Sequence, residues 1–218
     1  MASSEIPSVS TGDLWTAANH NTYLRDNFID HETRIVTAES DINGLQAHGM
    51  FLISEQILSD VAAAITFSSI PQTYRNLKLV YNGRFSIGAT YNTGRITLNS
   101  DAGNNYDSQV IYATNAAITT GDVFGIGYAE IMSLSAANAI SGASGAGEIL
   151  FPNYSGTTFH KVVIGTCSYK MAEGDGGYAI RNVTLFWRSA AAINRFDLTP
   201  SSSGNFVAGS IFSLYGII

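Results

Sequence analysis

The chain has 218 residues, of which only 13% are charged, and its formal net charge is −6. Such a low charge, together with 21 glycines, 11 tyrosines and 11 phenylalanines, is typical of strands joined by tight turns. Lysines and arginines form no cluster, which excludes the basic surface that nucleic acid requires. No apolar run approaches the ~20 residues that span a bilayer, so we expect no membrane insertion.

The first 13 residues, rich in serine and threonine and containing Pro7, predict an extended arm that docks on a partner surface. They show no basic segment followed by an apolar one, so we expect synthesis in a cytoplasm without a signal peptide.

Residues 14–48 predict a long helix, because apolar residues recur at spacings of three and four, the a and d positions of a heptad. The predicted seam consists of Leu14, Ala17, Asn21, Leu24, Phe28, His31, Ile35, Ala38, Ile42 and Leu45. Such a seam packs against copies of itself or another helix, and its polar layers, Asn21 and His31, fix register and partner number at the expense of stability. The periodicity also fits an amphipathic helix that lies on the chain's own β domain.

Residues 49–218 predict a mainly β domain, because the apolar period changes to two and no helical pattern interrupts the strands. The candidate strands are 51–58, 63–68, 77–85, 95–99, 109–113, 123–134, 147–154, 159–169, 178–188, 194–198 and 206–217. Short strands at this spacing favour an antiparallel sandwich. We also expect a turn at Asn82-Gly83, a loosely packed loop over 135–147, a central carboxy-terminal strand and a buried Cys167.

No catalytic motif is present, and the four histidines have no partner at metal-ligand spacing, so we expect neither an enzyme, nor a cofactor, nor a metal centre. One loop offers the hard oxygen ligands Asp101, Asn104, Asn105 and Asp107, which suit either a calcium ion or a turn held by Asx hydrogen bonds. Glu173 and Asp175 lie in a glycine-rich loop that could form a polar tip, reading sugars together with Tyr169 or Tyr178.

Two parts of the chain carry distinctive motifs. One is the segment near the amino terminus from Gly12 to Phe28 (GDLWTAANHNTYLRDNF). The other, in the β region, comprises 67–79 (FSSIPQTYRNLKL), 101–106 (DAGNNY) and 209–217 (GSIFSLYGI). These segments resemble proteins of tailed bacteriophage particles. The resemblance implies a jelly-roll-like β-sandwich preceded by an amino-terminal coiled-coil helix in an oligomer, usually a trimer. The heptad itself, with Asn21 at an a position, favours two strands.

These expectations describe a virion structural protein made in the host cytoplasm. One interpretation is a trimeric fibre or spike that contacts other virion proteins through the arm and exposes its β domain to a host-surface glycan. A second is a capsid or tail decoration protein that stabilises neighbouring subunits without a ligand. A third is a polysaccharide-cleaving spike, for which the sequence offers no specific residues.

Overall fold

The computed structural model describes residues 17–46, 49–114, 117–172 and 177–218, with helix side chains described from 20 to 41. The chain divides into two compact units, with the boundary between His48 and Gly49. The predicted docking arm, residues 1–13, lies outside the described residues.

The amino-terminal unit contains helix α1, Ala17–Gln46, which at 30 residues is ~45 Å long. The helix lies within the range 14–48 predicted for it. The hydroxyls of Thr33 and Thr37 donate to the carbonyls of Ile29 and Thr33 at 2.8 and 2.9 Å, so these β-branched residues satisfy their hydroxyls within the helix. A coiled coil requires a second chain and stays a prediction.

The second unit is built from strands. Their bounds are β1 Met50–Ile57, β2 Ile65–Phe67, β3 Asn76–Gly83, β4 Tyr91–Leu98, β5 Tyr106–Thr114, β6 Ala117–Ile126, β7 Ala129–Ser135, β8 Gly145–Phe151, β9 Lys161–Lys170, β10 Tyr178–Trp187, β11 Phe196–Pro200 and β12 Ile211–Ile217. They form an eight-stranded sheet in the order β1-β12-β3-β8-β9-β10-β5-β6 and a four-stranded sheet in the order β2-β11-β4-β7. All neighbouring strands in both sheets are antiparallel, which confirms the prediction of a mainly β, antiparallel fold.

The chain passes repeatedly between the two sheets. Strands β1 and β3 lie in the large sheet and β2 and β4 in the small one; β7 and β11 then lie in the small sheet and β8 and β12 in the large one. The hairpins β5–β6 and β9–β10 extend the large sheet beyond β8. As predicted, the carboxy-terminal strand is central, with β1 on one side and β3 on the other.

Residues from both sheets share one hydrophobic core. On β3 the side chains of Leu77, Leu79 and Tyr81 are buried while the residues between them are more exposed, as the period of two requires. The ring of Phe206 lies 4.9 Å from that of Phe85 and 5.1 Å from that of Phe212. Cys167 is buried in this core, as predicted, and burial raises the pKa of its thiol.

Two predictions of turn and strand positions are wrong. Asn82-Gly83 is not a hairpin turn; it ends β3 and pairs with Ala146 and Gly145 of β8, because the partners of β3 come from distant parts of the chain. The apolar run 123–134 is not one strand but the end of β6 and all of β7, which belong to different sheets. At the crossing, a Cβ on Gly127 would lie 2.6 Å from the Ala102 carbonyl oxygen, so only glycine fits there without a shift.

The loop after β7 is packed rather than loose. Ala136 and Ala139 are buried, and the guanidinium of Arg84 donates to four carbonyl oxygens of the loop. The acceptors are those of Ile140 at 3.0 Å, Ala143 at 2.7 Å, Ala137 at 3.2 Å and Ala139 at 3.0 Å. The backbone N–H groups of Ala136, Ala137 and Asn138 also donate to the carbonyls of Thr90, Ile87 and Ala89. Donors and acceptors from outside the loop thus supply the order that its small, polar sequence lacks.

Candidate functional site

The seam side chains of α1 that the structure describes are all exposed. Leu24, Phe28 and Ile35 are 53%, 68% and 57% exposed, and Asn21, His31 and Ala38 are exposed beside them. Leu14 lies outside the described residues. The structure describes the helical backbone, but not the side chains, of Ala17, Ile42 and Leu45. Because such a row of large apolar side chains is unfavourable in water, the exposed seam is a candidate surface for association with other chains.

A second apolar row on the helix was missed by sequence reasoning. Ile29 and Val36, seven residues apart, are 53% and 64% exposed. They occupy b positions, about 100° around the helix from the a positions of the seam. The signal was present in the sequence as adjacent apolar pairs, Phe28-Ile29 and Ile35-Val36, which widen the apolar side beyond a two-stranded seam.

The predicted ligand loop is held by the protein's own donors. Asp101 accepts hydrogen bonds from the Gly103 backbone N–H at 2.8 Å, the Asn105 amide at 3.0 Å and the Trp187 indole N–H at 2.7 Å. The hydrogen bonds from Trp187 and Asn105 lower the pKa of Asp101, although partial burial opposes them. The carboxylate therefore acts as an Asx-type anchor of the turn.

The other end of this loop is tied down in the same way. Asp107 accepts from Arg188 Nη1 at 2.8 and 2.9 Å and from the Gly125 backbone N–H at 2.9 Å, while Arg188 Nη2 also donates to the Asn104 carbonyl. No group of three or more His, Cys, Asp or Glu side chains that could hold a metal ion occurs in the part of the chain that the structure describes. The geometry thus favours the hydrogen-bonded turn over an ion site.

The second predicted loop is only partly described. Glu173 and Asp175 lie outside the described residues. Of the two tyrosines expected to read sugars with them, Tyr169 is 5% exposed and stacks on Tyr91 at 5.2 Å, so it cannot contact a ligand. Tyr178 is 61% exposed, with the ammonium of Lys170 3.5 Å from the centre of its ring. Of these two tyrosines, Tyr178 is the one exposed enough to contact a sugar.

An open depression of about 470 Å³ lies where β9 begins, lined by Thr158, Phe159, His160, Val162 and Phe186. The ring of Phe159 is 73% exposed, and His160 meets Phe186 edge to face at 5.7 Å. This aromatic surface was not predicted, because its members come from two strands and the loop before them.

Lys161, next to the depression in sequence, points into the protein. It is 3% exposed and donates to the carbonyl oxygens of Gly156, Phe159 and Ala190, and burial lowers the pKa of its ammonium group. A lysine with a lowered pKa can be a nucleophile, but a substrate cannot reach this one. Its geometry is that of a structural clamp on the neighbouring loops.

The outer face of the large sheet carries apolar side chains at the β1 edge. Met50, Leu52 and Ile57 of β1 are 53%, 55% and 63% exposed. Leu52 pairs across the strands with the half-buried Tyr215, and Ile57 pairs with Ile211. We call these five residues the β1–β12 patch. Strand β1 pairs with β12 alone, so its other edge has no described strand partner.

Among the described residues, no helix is long and apolar enough to cross a membrane. No protein-family model, curated protein or solved structure matches this chain.

Proposed function

We propose that this chain is a non-enzymatic structural component of a bacteriophage virion, a trimeric fibre- or spike-like surface protein. In this proposal the amino terminus anchors the protein to other virion proteins, and the β domain is displayed toward the host. The observation that carries the oligomer is the exposed seam of α1, where Leu24, Phe28 and Ile35 lie open to water in the single chain. A helix of this length gains most of its stability from packing, and in this proposal it packs against other copies of itself.

The β domain in this proposal is a jelly roll with two inserted hairpins. The order β1-β12-β3-β8 opposite β2-β11-β4-β7 supports it, because the chain alternates between sheets at its beginning and again at its end. Viral capsid proteins and lectins use this architecture. Since one fold serves many functions, the assignment to a bacteriophage particle rests on the resemblance at Gly12 to Phe28.

Two features support a trimer in this proposal: the resemblance to bacteriophage proteins and the width of the apolar side of α1. Phe28 is a bulky residue for the a position of a two-stranded seam, and Ile29 and Val36 add apolar surface outside the seam. The depression beside Phe159 is the proposed glycan contact, because exposed aromatic rings offer an apolar face that can stack on the C–H groups of a sugar ring.

Light scattering on the purified full chain tests the oligomer. We expect three times the chain mass of 23.2 kDa at micromolar concentration, and monomers after replacing Ile35 and Ile42 together by Asp. The matched control replaces the exposed Asp30 and Glu39 by Asn and Gln, which keeps the seam intact. A monomeric wild-type chain would contradict the proposal.

Binding of the trimer to host cells tests the attachment role. We expect fluorescent trimer to label host cells, and the label to fall at least tenfold with Phe159→Ala while Phe124→Ala, an equally exposed ring on β6, leaves it unchanged. A trimer that leaves cells unlabelled and occupies symmetric shell positions in imaged particles would instead be a decoration protein.

A further inference from the structure

We infer that the β1–β12 patch is a second contact between copies of this chain, formed by the β domains themselves. The inference rests on the proposed oligomer and adds to it the surface through which the domains meet.

The patch has the properties of an uncovered interface. Its side chains project from one face of two paired strands, with Leu52 opposite Tyr215 and Ile57 opposite Ile211. Leu52, Ile57 and Ile211 are 55%, 63% and 37% exposed, so they present apolar surface that water solvates poorly. Glu55, the charged residue of β1, accepts a hydrogen bond from the Ser213 hydroxyl at 2.7 Å, which holds its carboxylate across β12.

Chain connectivity identifies the occupant as a second copy. Only Ala47, His48 and Gly49 separate the end of α1 at Gln46 from the start of β1 at Met50. An assembly that joins the helices therefore tethers the β1 strands of its copies through very short linkers. Short tethers give effective concentrations in the millimolar range or above, at which even a weak apolar contact is populated.

The opposite edge of the same sheet lacks this tether. Strand β6 also has one edge without a described strand partner, and its Ile118 and Phe124 are 74% and 69% exposed, more than any residue of the patch. Seven strand spacings separate β6 from β1, about 34 Å in a flat sheet. If exposed apolar area alone decided where copies meet, the contact would form at β6. If tethering decides, it forms at β1, so substitutions at the two edges distinguish these causes.

The experiment compares substitutions on the two edges in the full-length chain. The concentration at which the oligomer dissociates is measured by sedimentation velocity over a dilution series. We expect Leu52→Glu with Ile57→Glu to raise it about tenfold or more, because the copies lose apolar burial and gain like charges at the contact. We expect Ile118→Glu with Phe124→Glu to leave it within about twofold.

A second pair, Leu52→Thr with Ile57→Thr, keeps β propensity and adds no charge, so its effect reports lost burial and not misfolding. Near-ultraviolet circular dichroism checks that the β domain stays folded in each variant. If the Glu and Thr double variants of β1 both dissociate at the same concentration as the wild type, the inference is wrong, while the proposed trimer stays in place. Equal effects from both edges overturn it as well. A wild-type chain that is already monomeric removes the proposed oligomer and this contact together.

Discussion

The indole N–H of Trp187 donates to a carboxylate oxygen of Asp101 over 2.7 Å, joining the end of β10 to the turn after β4. The indole ring is 2% exposed and stacks on Tyr106 with 6.3 Å between ring centres. The Tyr106 hydroxyl in turn donates to the Asp101 carbonyl at 2.9 Å and accepts from the Leu98 N–H at 2.9 Å. A loop that resembles an ion site in sequence is thus a junction between two strands.

Asp101→Asn should destabilise the β domain at pH 7. An Asn in the same pose with its amide nitrogen at the Oδ2 position leaves the donors of Trp187 and Asn105 without an acceptor. Turned over, it leaves the Gly103 N–H without one. We expect a loss of about 1–2 kcal/mol in urea unfolding. Asp122→Asn, at an exposed position of β6, is the control and should change stability by less than about 0.5 kcal/mol.

The effect of Asp101→Asn should shrink in acid. Hydrogen bonds from Trp187 and Asn105 lower the pKa of Asp101 in the folded protein below its unfolded value of ~3.9. Its contribution to stability is therefore fully present above about pH 4 and is lost as the pH falls through the folded pKa. Urea unfolding between pH 7 and pH 3 measures this. If the difference in unfolding free energy between the wild type and the variant is the same at every pH in this range, the ionised carboxylate is not the stabilising form.

Arg84→Ala should release the loop over 136–144. The substitution removes the guanidinium donor from four carbonyl oxygens, of which that of Ile140 still accepts from the Ala143 N–H. Lys cannot replace the planar guanidinium, because its compact ammonium group cannot reach all four acceptors in the same way. We expect Arg84→Ala to lower the free energy of unfolding by about 2–4 kcal/mol, and Arg84→Lys to lower it by somewhat less. Limited proteolysis should cut within the loop of both variants. Arg75→Ala, at an exposed position, should leave cleavage at the wild-type rate.

Gly147→Ala should strain the large sheet. A Cβ at this position would lie 2.3 Å from the Thr166 carbonyl oxygen and 2.7 Å from the Cys167 Cβ. Neither atom can move without shifting β9, so we expect a loss of about 1–3 kcal/mol in thermal unfolding. Gly88→Ala meets nothing within 4 Å and serves as the control. Similar melting temperatures for the two variants would mean that β9 adjusts freely.

His31→Leu should strengthen the proposed oligomer. His31 is an exposed, polar member of the seam in the single chain, and a leucine at a d position adds apolar burial when helices pack. We expect the free energy of association to become more favourable by about 1–2 kcal/mol per chain. The gain is measured as a higher dissociation temperature at fixed concentration. Glu32→Leu places the same side chain one residue away, outside the seam, and should have little effect. An equal gain from both variants would show that α1 has no defined seam.

The strand content and the burial of several residues followed from sequence periodicity. The alternation that buries Leu77, Leu79 and Tyr81 is local, since a strand against a core repeats every two residues whatever its partner. Local sequence also predicted the burial of Cys167 within its apolar run and the largely apolar strand at the carboxy terminus. The heptad spacing of α1 likewise predicted a helix, because its period is a property of one segment.

What the sequence could not determine depends on residues distant in the chain. Asn82-Gly83 has the composition of a hairpin turn, yet β3 continues there because β8 pairs with both residues and β12 pairs with Asn82. The run 123–134 divides between two sheets because β6 pairs with β5 in the large sheet, whereas β7 pairs with β4 in the small one.

Hydrogen-bond partners across the fold made the same kind of difference at the candidate sites. Asp101 holds its turn in place because Trp187, 86 positions later, donates a hydrogen bond to its carboxylate. Arg84 orders a loop more than 50 positions away whose own sequence favours no structure. Periodicity and turn chemistry act over a few residues and can be read from the sequence, whereas strand partners and the donors that satisfy buried or charged groups are chosen only when the sheets assemble.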